Sequence, residues 1–207
     1  MRLTLLIPAF ILGGSAALAS AQTDVALSLY GAFSGTTNAT GVTVSPSNSA
    51  GGIVELRHIA NPILGFEGTY SFNRANESYT STIAITCPVT TPNCPPPRAR
   101  VSANAHEVTA DWVPSVHVAN FRPFGVLGIG ALFNVPQSGQ TSFVTQTSTK
   151  AVYVYGAGLD WGLLPHLGLR LQYRGNLYKT PDVTQLFTSI DKFRHTAEPM
   201  IGIYFRL

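Results

Sequence analysis

From residue 24 onward the sequence falls into eight segments of about ten residues in which apolar and polar side chains alternate, the period of a strand with two unlike faces. They lie near 24–34, 50–59, 63–73, 101–113, 121–134, 150–162, 166–177 and 195–207. In seven of them one face is free of charge. It runs through Val25, Leu27, Leu29 and Phe33, then Val54 and Leu56, then Leu64, Phe66, Tyr70 and Phe72. It continues with Val108, Ala110 and Trp112, with Tyr153, Tyr155, Leu159 and Trp161, with Leu167, Leu169, Leu171 and Tyr173, and with Ile201, Ile203, Phe205 and Leu207. The opposite face carries Glu55, Arg57, Glu67, Glu107, Asp111, Asp160, Arg170, Arg174, Glu198 and Arg206. The segment at 121–134 is apolar on both faces (Leu127, Ile129 and Phe133 against Gly128, Gly130 and Leu132), so its facing stays open.

Two architectures fit such faces. A soluble barrel buries the apolar face; a membrane barrel turns it outward and keeps the charges inside. Charged residues make up 11% of the chain, less than half the roughly 25% usual in soluble domains. Yet no apolar run after the N-terminal segment is long enough for a spanning helix. The aromatic residues favour the membrane barrel. Phe33, Tyr70, Phe72, Tyr153, Tyr155 and Tyr173 gather toward one end of the strands, and Trp112, Trp161 and Phe205 toward the other. Two such bands are expected at the two membrane interfaces.

The connections alternate in length. Short links such as Ala60-Asn61-Pro62 and Leu164-Pro165-His166, and a modest one around Pro114, lie at one end; longer polar segments at 35–49, 74–100, 135–149 and 178–194 lie at the other. Short periplasmic turns with long outer loops are the outer-membrane pattern. The reading is therefore all-β: an eight-stranded, antiparallel, up-and-down transmembrane barrel over 22–207.

The first 21 residues read as a secretory signal peptide. Arg2 supplies the positive start, Leu3 to Leu18 the apolar stretch, and Ala19-Ser20-Ala21 a small-residue cleavage site, placing the mature start at Gln22. Export makes Cys87 and Cys94, in CPVTTPNCPPP, a candidate disulfide. Two cysteines with no nearby His make a poor zinc site.

Candidate chemistry is sparse. Gly156, Gly158 and Gly162 loosely imitate a dinucleotide fingerprint, but the motif needs a helix after it, and Leu163-Leu164-Pro165 leads instead into another alternating strand. Glycines there relieve crowding inside a narrow barrel. His195 and Glu198, three apart, point to opposite faces of a strand, and no His-x-Ser pair occurs that would serve acyl transfer. No catalytic, metal or cofactor site is expected. The net charge of +3 is too small and scattered for a nucleic-acid binder. The inward charges are expected to pair across a lumen just wide enough to fill with side chains; a narrow ion path is the alternative.

The segments GGIVELRH, LGFEGTYSF, GAGLDWGLLPHLGLRLQYRG and the terminal EPMIGIYFRL resemble the outer-membrane β-barrel domain family, with the OmpA transmembrane domain and the OmpX/Ail group among its eight-stranded members. The resemblance covers the whole mature chain. It implies membrane lipids and the outer-membrane assembly machinery as partners, although the family ends in Phe or Trp where this chain has Leu207. It leaves three roles open: an envelope scaffold, a surface adhesin or binder of an unknown extracellular ligand through 35–49 and 74–100, and a narrow pore.

Overall fold

The computed structural model describes residues 21–83, 97–137, 144–185 and 190–207. The signal peptide and the Cys87–Cys94 pairing lie outside the described residues. Ten strands follow in order: β1 (Gln22–Ser34), β2 (Thr37–Ala39), β3 (Val42–Pro46), β4 (Ser49–Ile59), β5 (Gly65–Ser81), β6 (Arg98–Trp112), β7 (Phe121–Pro136), β8 (Ser148–Gly162), β9 (Leu167–Lys179) and β10 (Phe193–Arg206).

Eight of these are barrel staves. β1, β4, β5, β6, β7, β8, β9 and β10 each pair antiparallel with the next, and β10 returns to β1, with Asp24 opposite Arg206 and Ser34 opposite Thr196. No barrel edge is left unpaired, as a sheet in lipid requires. The closed, eight-stranded, all-β reading of the sequence is thus the observed fold.

The facing is as the alternation implies. Leu27 and Leu29 are 57% and 68% exposed, whereas Asp24, Glu55, Arg57, Arg170 and Arg174 are fully buried. A water-soluble protein would have this inside out. The strand at 121–134, open in the sequence, is settled: Leu127, Ile129 and Phe133 face out, and Arg122, Phe124, Val126 and Leu132 face in. Its glycines explain the ambiguity. A Cβ on Gly128 would collide with the Asp111 carboxylate, and one on Gly158 with the Phe124 ring. Inward glycine makes room for larger neighbours, so it reads as featureless in the sequence.

Three turns at one end are tight. At 60–64 the Asn61 side chain accepts hydrogen bonds from the backbone N–H of Ile63 (3.0 Å) and Leu64 (2.8 Å), an Asx turn. His166 sits in the turn before β9, its Nδ1 3.1 Å from the Arg206 carbonyl.

The other end corrects the sequence reading. The segment 74–100 is not all loop: β5 continues to Ser81 and β6 begins at Arg98, paired as far as Thr80 opposite Arg98. Within 35–49, β2 and β3 form a hairpin, and β3 pairs with the upper part of β5, Val42 opposite Ser81. Val42, Val44, Tyr79, Ala99, Val101, Ala103, Val183 and Ile190 form a small buried apolar cluster there. Inward residues of β5 and β6 thus meet Val183 and Ile190 from the β9–β10 connection, and this cap covers the mouth of the barrel.

Candidate functional site

The lumen is the chemically densest part of the molecule, and each wall contributes because every second residue of a strand points inward. At the end with the tight turns, three guanidinium groups meet four carboxylates. Arg170 is the hub: its Nε donates to Asp160 Oδ1 (2.7 Å), one terminal nitrogen meets Asp24 Oδ1 (2.9 Å), and the other meets Glu55 Oε2 (3.2 Å) and Glu67 Oε2 (3.4 Å). Arg57 holds Glu67 at 2.6 Å and Asp160 at 3.3 Å. Arg122 bridges Asp24 (2.8 Å) and Asp160 (2.7 Å). The Arg57 guanidinium lies 4.0 Å above the Phe124 ring centroid, so one face of the charge is sealed by an aromatic surface.

A second tier lies toward the cap. Arg174 binds Asp111 at 3.0 Å and approaches Glu107 at 3.7 Å. The Asn176 amide donates to Glu107 at 3.0 and 3.2 Å. Above it is a cavity of about 40 Å³ lined by Tyr30, Asn134, Asn176, Tyr178, Thr196 and Glu198 among others, room for a few water molecules. Beyond the cavity Arg194 binds Glu77 at 2.6 Å. Burial raises the Glu77 carboxyl above its usual range, against the opposing pull of Arg194.

Eight of the ten charged residues assigned to the interior from sequence take part in ion pairs: Glu55, Arg57, Glu67, Glu107, Asp111, Asp160, Arg170 and Arg174. The other two differ. Glu198 faces inward but makes no ion pair among the described residues; it stands at the cavity near Glu107 and Asn176. Arg206 is only half-buried, at the mouth near His117, Asn120 and Gly162, also without an ion pair there. Two members were missed. Asp24 shares the parity of Ala26 and Ser28, which was signal enough to find it. Arg122 was hidden by the ambiguous facing of its strand.

The outer aromatic bands are present. Phe33, Tyr70, Phe72, Tyr153, Tyr155 and Tyr173 are exposed on the outward face on the cap side, and Trp112, Trp161 and Phe205 on the turn side. Two histidines join the cap-side band: Tyr70 O–H is 2.9 Å from His106 Nδ1, and Tyr155 O–H is 2.9 Å from His195 Nε2. Outward His195 and inward Glu198 do not form a site together. Gly156, Gly158 and Gly162 lie in β8 with β9 after the turn, where a nucleotide site needs a helix. Among the described residues no cluster of His, Cys, Asp and Glu is arranged to hold a metal ion.

A closed barrel with a lipid-compatible exterior, aromatic bands at both rims and a lumen filled with ion pairs defines a small transmembrane β-barrel of the bacterial outer membrane. The family model for the outer membrane protein beta-barrel domain matches residues 5–192, and the chain belongs to that family. Solved structures agree in fold. Neisserial surface protein A is 12% identical with a TM-score of 0.56, the alignment covering 89% of this chain and 97% of that one. The attachment invasion locus protein Ail of Yersinia pestis, solved with the heparin analogue sucrose octasulfate, is 14% identical with a TM-score of 0.52, covering 91% and 99%. OprG of Pseudomonas aeruginosa is 9% identical with a TM-score of 0.52, covering 91% and 96%. No curated protein matches the sequence.

Proposed function

We propose that this protein is a non-enzymatic, non-conducting scaffold of the outer membrane that supports envelope integrity and presents a structured cap to the medium. The observation that carries this reading is the hub at Arg170, whose guanidinium reaches Asp24, Glu55, Glu67 and Asp160 on four other strands. Such a cross-braced lumen leaves an ion no continuous water path, and exchanging these partners for water strips a buried charge of its pair. The test is conductance. Purified protein in planar bilayers should show no steady current. Arg170→Ala with Arg174→Ala should leave carboxylates unpaired, widen the lumen and raise conductance if the variant folds. A steady ion-selective current from the unmodified protein would overturn the scaffold and favour a pore.

A second reading, a surface binder acting through 35–49 and 74–100, is favoured by the packed cap. A rigid scaffold carrying loops is a usual site of recognition, and the similarly folded Ail was solved with a heparin analogue. Binding of intact but not cap-deleted protein to whole cells or sulfated glycans would promote it.

A further inference from the structure

The two tiers of the lumen are balanced differently. In the lower one, four carboxylates share Arg57, Arg122 and Arg170, and each of the four is paired. Toward the cap, Glu107, Asp111 and Glu198 are all buried, and Arg174 alone answers them. It is drawn to Asp111 at 3.0 Å and leaves Glu107 at 3.7 Å, while Glu198 makes no ion pair among the described residues. The next cation above, Arg194, is held by Glu77 at 2.6 Å. When ionised, the upper tier therefore carries two negative charges in excess, in an interior where an uncompensated carboxylate is costly. Both Glu107 and Glu198 border the cavity of about 40 Å³ beneath the cap.

A second observation, independent of charge, singles out the same place. Asn176 is 1% exposed. Its amide N–H groups are spent on Glu107, at 3.0 and 3.2 Å, so its Oδ1 turns away from that carboxylate and borders the cavity with no hydrogen-bond partner among the described residues. A buried carbonyl oxygen needs a donor or a cation; between two carboxylates, a cation satisfies all three. Tyr30, Tyr178 and Thr196 add hydroxyl oxygens to the lining. Every donor here is an oxygen, the set that hard cations take. Magnesium demands near-ideal octahedral geometry, whereas calcium accepts roughly six to eight oxygens in irregular arrangements. No three His, Cys, Asp or Glu side chains converge among the described residues, so neutral oxygens and water must complete such a shell. The cavity is also reachable: Pro46, Ser47, Ser49 and Ala75, where β3 gives way to β4 along β5, line it and are only partly buried.

We propose that the cavity between barrel and cap binds one divalent cation of calcium type, with Glu107 and Glu198 as its charged ligands and Asn176 Oδ1 as a neutral one. The ion ties β6, β9 and β10 together directly below the Arg194–Glu77 pair, so the cap is held more firmly when it is bound. The proposal goes beyond the scaffold reading and holds whether or not the lumen conducts.

The experiment uses the full mature chain folded in zwitterionic micelles, stripped of metal with EDTA and brought to neutral pH. Equilibrium dialysis with calcium chloride should find one saturable ion per chain, bound roughly tenfold or more tighter than magnesium. Glu107→Gln and Glu198→Gln keep the side-chain shape and relieve a buried charge; each should weaken calcium binding by about tenfold or more. Asp191→Asn, which neutralises an exposed acid of the cap side, should leave it unchanged. Terbium, which takes the same oxygen ligands, should luminesce on tyrosine excitation because Tyr30 and Tyr178 border the site, and calcium should displace it. Proteolysis of the cap connections should slow when calcium is added. The absence of saturable calcium binding by the unmodified chain would overturn the proposal and leave the excess acids to hold protons. Equal affinity for magnesium, undiminished binding in both Gln variants, or an equal loss in Asp191→Asn would overturn it as well, the last by placing the ion on the cap surface. The shift in gel mobility on heating follows folding separately. If neither Gln variant folds, the stoichiometry and the tyrosine-sensitised terbium emission of the unmodified chain still decide the matter.

Discussion

The membrane barrel and the extracellular cap are built on the same strands with opposite rules. In the lower part of β5, Phe66, Tyr70 and Phe72 point outward while Glu67, Thr69 and Ser71 are buried. In its upper part, Arg74, Asn76, Ser78 and Thr80 point outward, and Tyr79 is buried with Val101 and Ala103 of β6. The alternation keeps its period but reverses its sense between Phe72 and Arg74. A strand cannot change its geometry to suit its solvent; it changes which parity is apolar. The lower region needs ion pairs to fill a narrow lumen because lipid already accepts its apolar side chains. The upper region stands in water and is held, like any small soluble fold, by apolar burial.

Removing a lumen hub should separate the two regions most sharply. Arg170→Ala leaves up to four buried carboxylates without their shared partner and should cost about 3–5 kcal/mol, as breaking buried pairs commonly does. Urea titration of the folded protein in lipid vesicles would read it, and a loss below ~1 kcal/mol would mean that the lumen is water-filled and the pairs are dispensable.

The outward faces offer the next contrast. Leu27→Arg, near the middle of the lipid-facing surface, should destabilise by about 2–4 kcal/mol. Thr43→Arg, outward on β3 in the cap, should stay within roughly 0.5 kcal/mol. Similar costs at the two positions would place the membrane boundary elsewhere.

A smaller and local effect is expected from the cap core. Val44→Ala deletes two buried methyl groups from a fully enclosed position and should cost about 2 kcal/mol. That loss should appear as faster amide exchange in β2, β3 and the upper part of β5, with the barrel amides unchanged. Faster exchange throughout would show that cap and barrel unfold as one unit.

The smallest effect concerns pH. Because burial raises the Glu77 carboxyl above its ordinary value of 4.5, the folded cap binds the proton more tightly than the unfolded chain does. Its contribution to stability is therefore fullest below the unfolded value and declines as pH rises from there through the folded one. Proteolysis of the cap connections should quicken over that range, and Arg194→Gln, by removing the opposing cation, should enlarge the change. A cap that resists better as pH rises would reverse the sign.

These contrasts also mark what was legible in the sequence. Period-two alternation revealed all eight staves, because a charge-free face such as Leu167, Leu169, Leu171 and Tyr173 has no cheaper place than lipid. The same criterion concealed the ends of β5 and β6. There the apolar residues move to the inward parity, so the run of outward apolar residues ends at Phe72. Arg122 was lost because Gly128 and Gly130 leave its strand no polar face to recognise. Which acid meets which arginine was beyond reach, since Arg57 and Asp160 are brought together only by the curvature of a closed sheet.

That closure has a consequence for how the molecule assembles. The hub joins residues far apart in the chain: Asp24 in the first strand meets Arg170 in the ninth, and Arg122 in the seventh meets them both through Asp24 and Asp160. An open sheet lacking β1 would therefore leave Arg122 and Arg170 without Asp24, and any unclosed sheet would keep Arg57 from Asp160 across the lumen. Partly formed barrels are penalised twice, by unpaired backbone at the seam and by unpaired charge in the lumen. Insertion should accordingly be cooperative and slow, as expected where sequence-distant contacts must form before any of them stabilises. Half-built sheets would hardly populate, and the barrel should be either absent or complete.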